Sequence, residues 1–205
     1  MRPRPQQGSN GKRARLRASI LLALAIGAVV LPTAVGNAGA RVRAGCANAN
    51  RPVARLSLSA MRAAVLCLVN QQRTGRGLPA LHESAKLDRV AQNWAGWMRA
   101  NGDFSHGSDW TARFSAVGYQ GQTEAENIGT GPGTPAGLVR MWMGSRFHCQ
   151  NILYPAFSQV GTGGVPGVIG RRGRSGGTWT QDYGLPMLAF PVSQNMGPMN
   201  GCPYR

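Results

Sequence analysis

His106, Glu126 and His148 are the residues whose types can do chemistry together: Glu126 lies 20 residues after one histidine and 22 before the other. Two imidazoles and a carboxylate can hold a divalent metal with one position left open for water or substrate. The same groups can form an acid/base cluster, or hydrogen-bond one another in a polar cleft. Spacing alone does not choose, because no HExxH segment presents two ligands on one helix face. Ser105 and Ser145 stand close to His106 and His148, but no order of acid, histidine and serine resembles a triad, which leaves a serine nucleophile without support. The third histidine, His82, and its neighbour Glu83 read as surface, and Glu124 reads as a solvated loop residue.

The elements that must position these groups follow from periodicity. Ser59 is placed to cap a helix to about Arg73 with Met61, Val65, Leu68 and Val69 on one face, and Gly75 and Gly77 end it. A second helix starts near Ser84; Leu87, Val90, Ala91, Trp94 and Met98 recur at spacings of three and four before Gly102. Asp103 to Ser108 is then a polar loop carrying His106, Asp109 can cap a short helix through Ala116, and Gly118-Tyr119 begins a second loop region in which Glu126 falls. Thr134-Pro135 is a helix start, with Leu138, Met141 and Trp142 facing inward as far as Gly144. From Val160 the pattern is strand-like: Val160 to Ile169 and Thr178 to Tyr183 read as a hairpin around a turn from Arg171 to Gly177. Trp94, Trp97, Trp142 and Trp179 read as core or cleft wall. Helices first and strands late predict an α+β fold with an antiparallel sheet between helices.

Charge and cysteines bear on where the chain works. It has 205 residues, 23 Lys or Arg and 7 Asp or Glu, a formal charge of +16. Residues 1–40 carry six basic groups ahead of an apolar run from Ile20 to Leu31 and a small-residue Ala38-Gly39-Ala40 site, the form of a secretory signal peptide. Twelve apolar residues are short for a bilayer span. Cleavage after Ala40 leaves 165 residues and a charge of +10 on mostly dispersed arginines. The one cluster, Arg171-Arg172-Gly173-Arg174, has no interleaved aromatics for base stacking, so specific nucleic-acid binding is not expected, whereas attraction to an anionic cell envelope is. Outside the cell Cys46, Cys67, Cys149 and Cys202 should pair. Three connectivities are open; Cys46 with Cys67 and Cys149 with Cys202 is the preferred one, since it ties each end of the chain to a helix or its neighbourhood. A zinc site built on the cysteines has no CxxC spacing behind it.

Seven segments then occur in a recognisable order: Phe104-Ser105-His106, Gly118-Tyr119, Glu126-Asn127-Ile128, Trp142-Met143-Gly144-Ser145, His148-Cys149-Gln150-Asn151-Ile152-Leu153, Gly161-Thr162-Gly163 and Trp179-Thr180-Gln181-Asp182-Tyr183-Gly184. From about Leu66 to Gly184 the chain resembles the CAP superfamily, and in it the bacterial SCP-like extracellular proteins. The resemblance implies a three-layer α-β-α sandwich with a central antiparallel sheet, as a domain over 59–205 after an extended leader at 41–58. It implies a cleft in which His106 and His148 are the family's two histidines and Glu126 the glutamate of its GEN motif, with Ala125 in place of the usual glycine. The family's second glutamate is unmatched; Ser145 stands near its place, and Ser145, Asn127 and Gln181 are expected to line the cleft. The functional expectation is a secreted, monomeric binding or envelope-interaction module, holding zinc or another divalent metal at His106 and His148, or a lipid. The alternative is a metal-assisted hydrolase or protease with Glu126 as base.

Overall fold

The computed structural model describes residues 45–189 and 201–202. The expected signal peptide lies outside them, and among the described residues no helix is long and apolar enough to cross a membrane.

Helix α1 (Leu58–Thr74) is capped two residues earlier than expected: Ser57, not Ser59, accepts the amide of Ala60 at 3.2 Å. Met61, Ala64, Val65 and Val69 form its buried stripe. The described part of the expected leader is turns and a short 3-10 helix at Val53–Arg55 rather than extended chain; Val53 is buried and donates its amide to Gly133. Helix α2 (Ala85–Asn101) begins after Ser84 as expected and ends where Gly102, at φ +69°, turns the chain into the left-handed region and donates its amide to Met98. Helix α3 (Ala112–Ala116) follows a turn in which Asp109 accepts from the amide of Ala112. Helix α4 (Pro135–Met143) is capped by Thr134, and α5 (Arg146–Leu153) comes directly after it.

Strands β1 (His82–Glu83), β2 (Gly121–Thr130), β3 (Gln159–Pro166) and β4 (Gly177–Pro186) form one sheet in the order β1-β3-β4-β2. β3 and β4 are antiparallel, as the expected hairpin requires, and β4 also pairs antiparallel with β2; only the two-residue edge strand β1 runs parallel to its neighbour. Two apolar clusters cover the two faces. The larger joins α1, α4 and α5 to one face through Val65, Leu138, Trp142, Ile152, Trp179 and Tyr183. The smaller lies on α2 and α3, with Leu87, Val90, Phe114 and Tyr119. This is the expected α-β-α arrangement. Glycine sets the spacing on the α2 side: a Cβ on Gly161 or Gly163 would come within 2.1 to 2.2 Å of the backbone of α2 at Leu87 and Ala91, so the helix rests on bare strand.

The larger cluster also buries a cation. Arg73, fully buried near the end of α1, donates to the carbonyls of Pro79, Ile152, Tyr154 and Phe157 at 2.8 to 3.1 Å. Burial lowers its pKa to about 10, which leaves it charged at neutral pH. One guanidinium thus holds the end of α5 and the chain leading to β3 against α1.

Candidate functional site

The three candidate residues come from a loop, a strand and a helix, and Glu126 is on a strand where a loop region was expected. His106 is in the 103–108 segment between α2 and α3, Glu126 is on β2, and His148 is on the first turn of α5. On β2 the alternation of a strand decides which residues meet. Glu126 and Ile128 pair with Asp182 and Thr180 of β4, while Asn127 between them pairs with Gln181 and faces the opposite side.

Glu126 sits beneath the surface, its side chain 1 % exposed. Its Oε1 lies 2.7 Å from Nδ1 of His106, and its Oε2 accepts from Nη2 of Arg113 at 2.5 Å. Arg113, on α3, also donates to the carbonyl of His106 at 2.8 Å, and its guanidinium lies 3.8 Å from the centre of the Trp94 ring. Trp94 in turn donates to the carbonyl of Ser105 at 3.0 Å. The loop bearing His106 is therefore fixed from α2, α3 and β2 together, while the imidazole itself remains 50 % exposed. The sequence reading missed Arg113; its one visible signal is a basic residue four positions after an Asp that starts a short helix.

His148 is half-buried, close to Trp142, and its Nδ1 is buried without a hydrogen-bond partner. Burial first, and the proximity of His106 second, lower its pKa, which favours a neutral ring. Asn127 and Asn151 hold its helix. Asn127 donates to the carbonyl of His148 at 3.1 Å, and Asn151 donates to Oδ1 of Asn127 at 2.8 Å and to the carbonyl of Glu126 at 3.3 Å.

The expected cleft-lining residues are placed differently. Asn127 and Gln181 are both fully buried on the sheet face opposite Glu126. There Tyr183 accepts from Asn127 and donates to Gln181, which donates to Thr162, a polar network across three strands. Both act inside the fold, on the face that carries α5, where Asn127 reaches the carbonyl of His148. Ser145 precedes α5, where its carbonyl accepts the amide of Cys149 and its side chain makes no capping bond. Glu124 is a half-buried strand residue, not a solvated loop residue, and burial raises its pKa. Of the tryptophans, Trp142 and Trp179 are core, but Trp97 is 43 % exposed.

Asp182 is a further acid behind the site. It is fully buried opposite Glu126, and neither of its oxygens has a well-formed hydrogen bond. Burial, and then the charge of Glu126, raise its pKa well above the usual carboxylate range.

For a metal the donors are limited. Glu126 has both oxygens engaged, which leaves two imidazoles, and among the described residues no group of three His, Cys, Asp or Glu side chains is arranged to hold a metal ion. Both disulfides have the preferred pairing, Cys46–Cys67 and Cys149–Cys202, and the second joins α5 to the C-terminal segment.

Residues 66–183 match the model of the cysteine-rich secretory protein family, CAP. The chain belongs to this family. The CAP domain is 32% identical over 131 residues to the uncharacterized protein YkwD of Bacillus subtilis, a match covering 62% of this chain and 48% of that one; the chain thus spans about half the length of this relative. Its fold is similar to that of an extracellular SCP-domain protein of Bacillus anthracis, with a TM-score of 0.53 at 23% identity over 63% of this chain and 44% of that one. It is also similar to an outer surface protein of Borrelia burgdorferi, with a TM-score of 0.53 at 15% identity over 60% of this chain and 90% of that one. In the CAP domain, then, the middle of β2 reaches both histidine-bearing segments: Glu126 meets His106 and Arg113, and Asn127 meets the carbonyl of His148.

Proposed function

We propose that this CAP domain is a secreted binding module of the cell envelope whose recognition group is a fixed imidazole, His106. The observation that carries this reading is the state of Glu126. A general base needs an oxygen within reach of substrate or water; this carboxylate is beneath the surface, with one oxygen on Arg113 and the other on His106. It orients a ring, and a ring hydrogen-bonded through Nδ1 turns its other nitrogen to a ligand. Secretion is supported by two disulfides and by the extracellular and outer-surface relatives.

The test has two arms. The purified protein is expected to sediment with insoluble Bacillus subtilis cell walls and to lose most of that binding in His106→Ala. It is expected to turn over no member of a peptide and ester panel. Turnover abolished by Glu126→Gln would overturn the reading in favour of a hydrolase.

A divalent metal is a second reading, favoured by the unpartnered Nδ1 of His148 and by its proximity to His106. The two imidazoles fit part of a zinc donor set. A bound cation would supply Lewis acidity and an anchor for an anionic ligand; the chain's own contribution is to hold two rings, through Glu126 on one side and the Asn127-anchored α5 on the other. Zinc calorimetry decides it, since equal heats from the wild type and the His106→Ala, His148→Ala double variant would remove it.

A further inference from the structure

Helix α2 presents a second face that the cleft does not use. Its inner stripe, Leu87, Val90, Ala91, Ala95 and Met98, rests on the sheet and the smaller core. Its outer stripe places Lys86, Arg89, Asn93 and Trp97 on successive turns, and all four are exposed. At 1.5 Å per residue the stripe is about 16 Å long. It contains no surface acid, because Asp88 is turned inward to the amide of Thr162 and to Arg62. Arg89 makes no hydrogen bond or ion pair among the described residues, and Lys86 spends one donor, on the carbonyl of Gly118.

Trp97 is held rigid. One face of its ring lies against Trp94, with centroids 4.5 Å apart and planes within 6°. Trp94 is itself fixed by Ser105 and by the Arg113 guanidinium. A large flat apolar face, 43 % exposed and already ordered, costs little entropy to use.

The geometry points to this stripe as a binding surface for an acidic polysaccharide, one sugar ring lying on Trp97 and the carboxylates of neighbouring sugars reaching Arg89 and Lys86. Charge complementarity supports the choice. Of the chain's seven acids three, Asp88, Glu126 and Asp182, are buried, so the surface is strongly basic. A nucleic acid fits less well, because a single platform cannot stack successive bases. A membrane fits less well too, since one indole among two cations and an amide gives little apolar area to insert.

The test is a calorimetric and tryptophan-fluorescence titration of the full secreted chain with hexagalacturonate at low salt. Expected are binding that weakens about tenfold in Trp97→Ala and is largely kept in Trp97→Phe, and a salt dependence that flattens in the Lys86→Ala, Arg89→Ala double variant. These surface variants should melt with the wild type. Failure to bind, binding indifferent to Trp97, or tighter binding of oligothymidylate or of phosphatidylglycerol vesicles would overturn the proposal. Binding lost in His106→Ala but not in Trp97→Ala would place the ligand in the cleft and overturn it as well; the cell-wall result with His106→Ala stands or falls separately.

Discussion

At the scale of single residues, the chemistry is governed by how few acids the chain has and by where it buries them. Glu126 is bound by Arg113 and His106, burial pushes the pKa of Asp182 behind it well up, and Asp88, on the inner face of α2, has Arg62, the Thr162 amide and Glu83 around it. Burial is the largest influence on Asp88 and outweighs Arg62 and the amide, raising its pKa to about 6 from 3.8. The folded state therefore holds a proton on Asp88 that the unfolded state has released between about pH 4 and 6, and this group's contribution to stability falls as pH rises through that window. Asp88→Asn should remove that fall, gaining on the order of 1–3 kcal/mol relative to the wild type between pH 4 and pH 7 in urea unfolding. A difference unchanged between the two pH values would contradict it. His148 acts with the opposite sign: its lowered pKa makes stability fall as pH drops through about 6.5. In the sequence, residue types pointed to His106, Glu126 and His148. It did not show the parts of Arg113 and Asp182, which arise from a partner 13 and 56 residues away, Glu126 in both cases.

At the scale of elements, the segments with their own periodicity were legible and the others were not. α1, α2, α4 and the β3–β4 pair carry apolar stripes, caps or β-branched runs that state their structure locally. β2, Gly-Gln-Thr-Glu-Ala-Glu-Asn-Ile-Gly-Thr, is rich in residues that avoid strands, and it is one because nine of its residues pair with β4. α5 was missed because it is eight residues long, lacks a side-chain cap, and leaves Phe147 exposed. Those two elements carry Glu126 and His148, so the placement of the site depended on the part of the fold least visible in the sequence. α5 is held from behind by Arg73. Arg73→Met strands four buried carbonyls, and a loss of about 3–5 kcal/mol is expected in denaturant unfolding, together with weakened protection of the α5 amides from hydrogen exchange. A loss below about 1 kcal/mol would show that the fan of hydrogen bonds is replaceable.

At the scale of the whole molecule, two apolar clusters on a four-stranded sheet are tied at both chain ends by disulfides that span 21 and 53 residues. Loop entropy predicts that replacing each pair by serine costs about 3 kcal/mol for Cys46–Cys67 and about 4 kcal/mol for Cys149–Cys202. The larger loss should also loosen α5, read as a changed His148 ring signal; an unchanged signal would separate the disulfide from the site. The charge reads differently at this scale than in the bare composition: the basic excess lies outside, three of seven acids lie inside, and one of the three exists to hold an imidazole at the surface. That last statement is the centre of the account, and the nitrogen spectrum of the histidine rings tests it most directly. In nitrogen-15-histidine-labelled protein at neutral pH, His106 should carry its proton on Nδ1, facing Glu126, and should lose that fixed state in Glu126→Gln. A His106 whose Nδ1 is bare in the wild type, or whose spectrum is the same in both proteins, would contradict it.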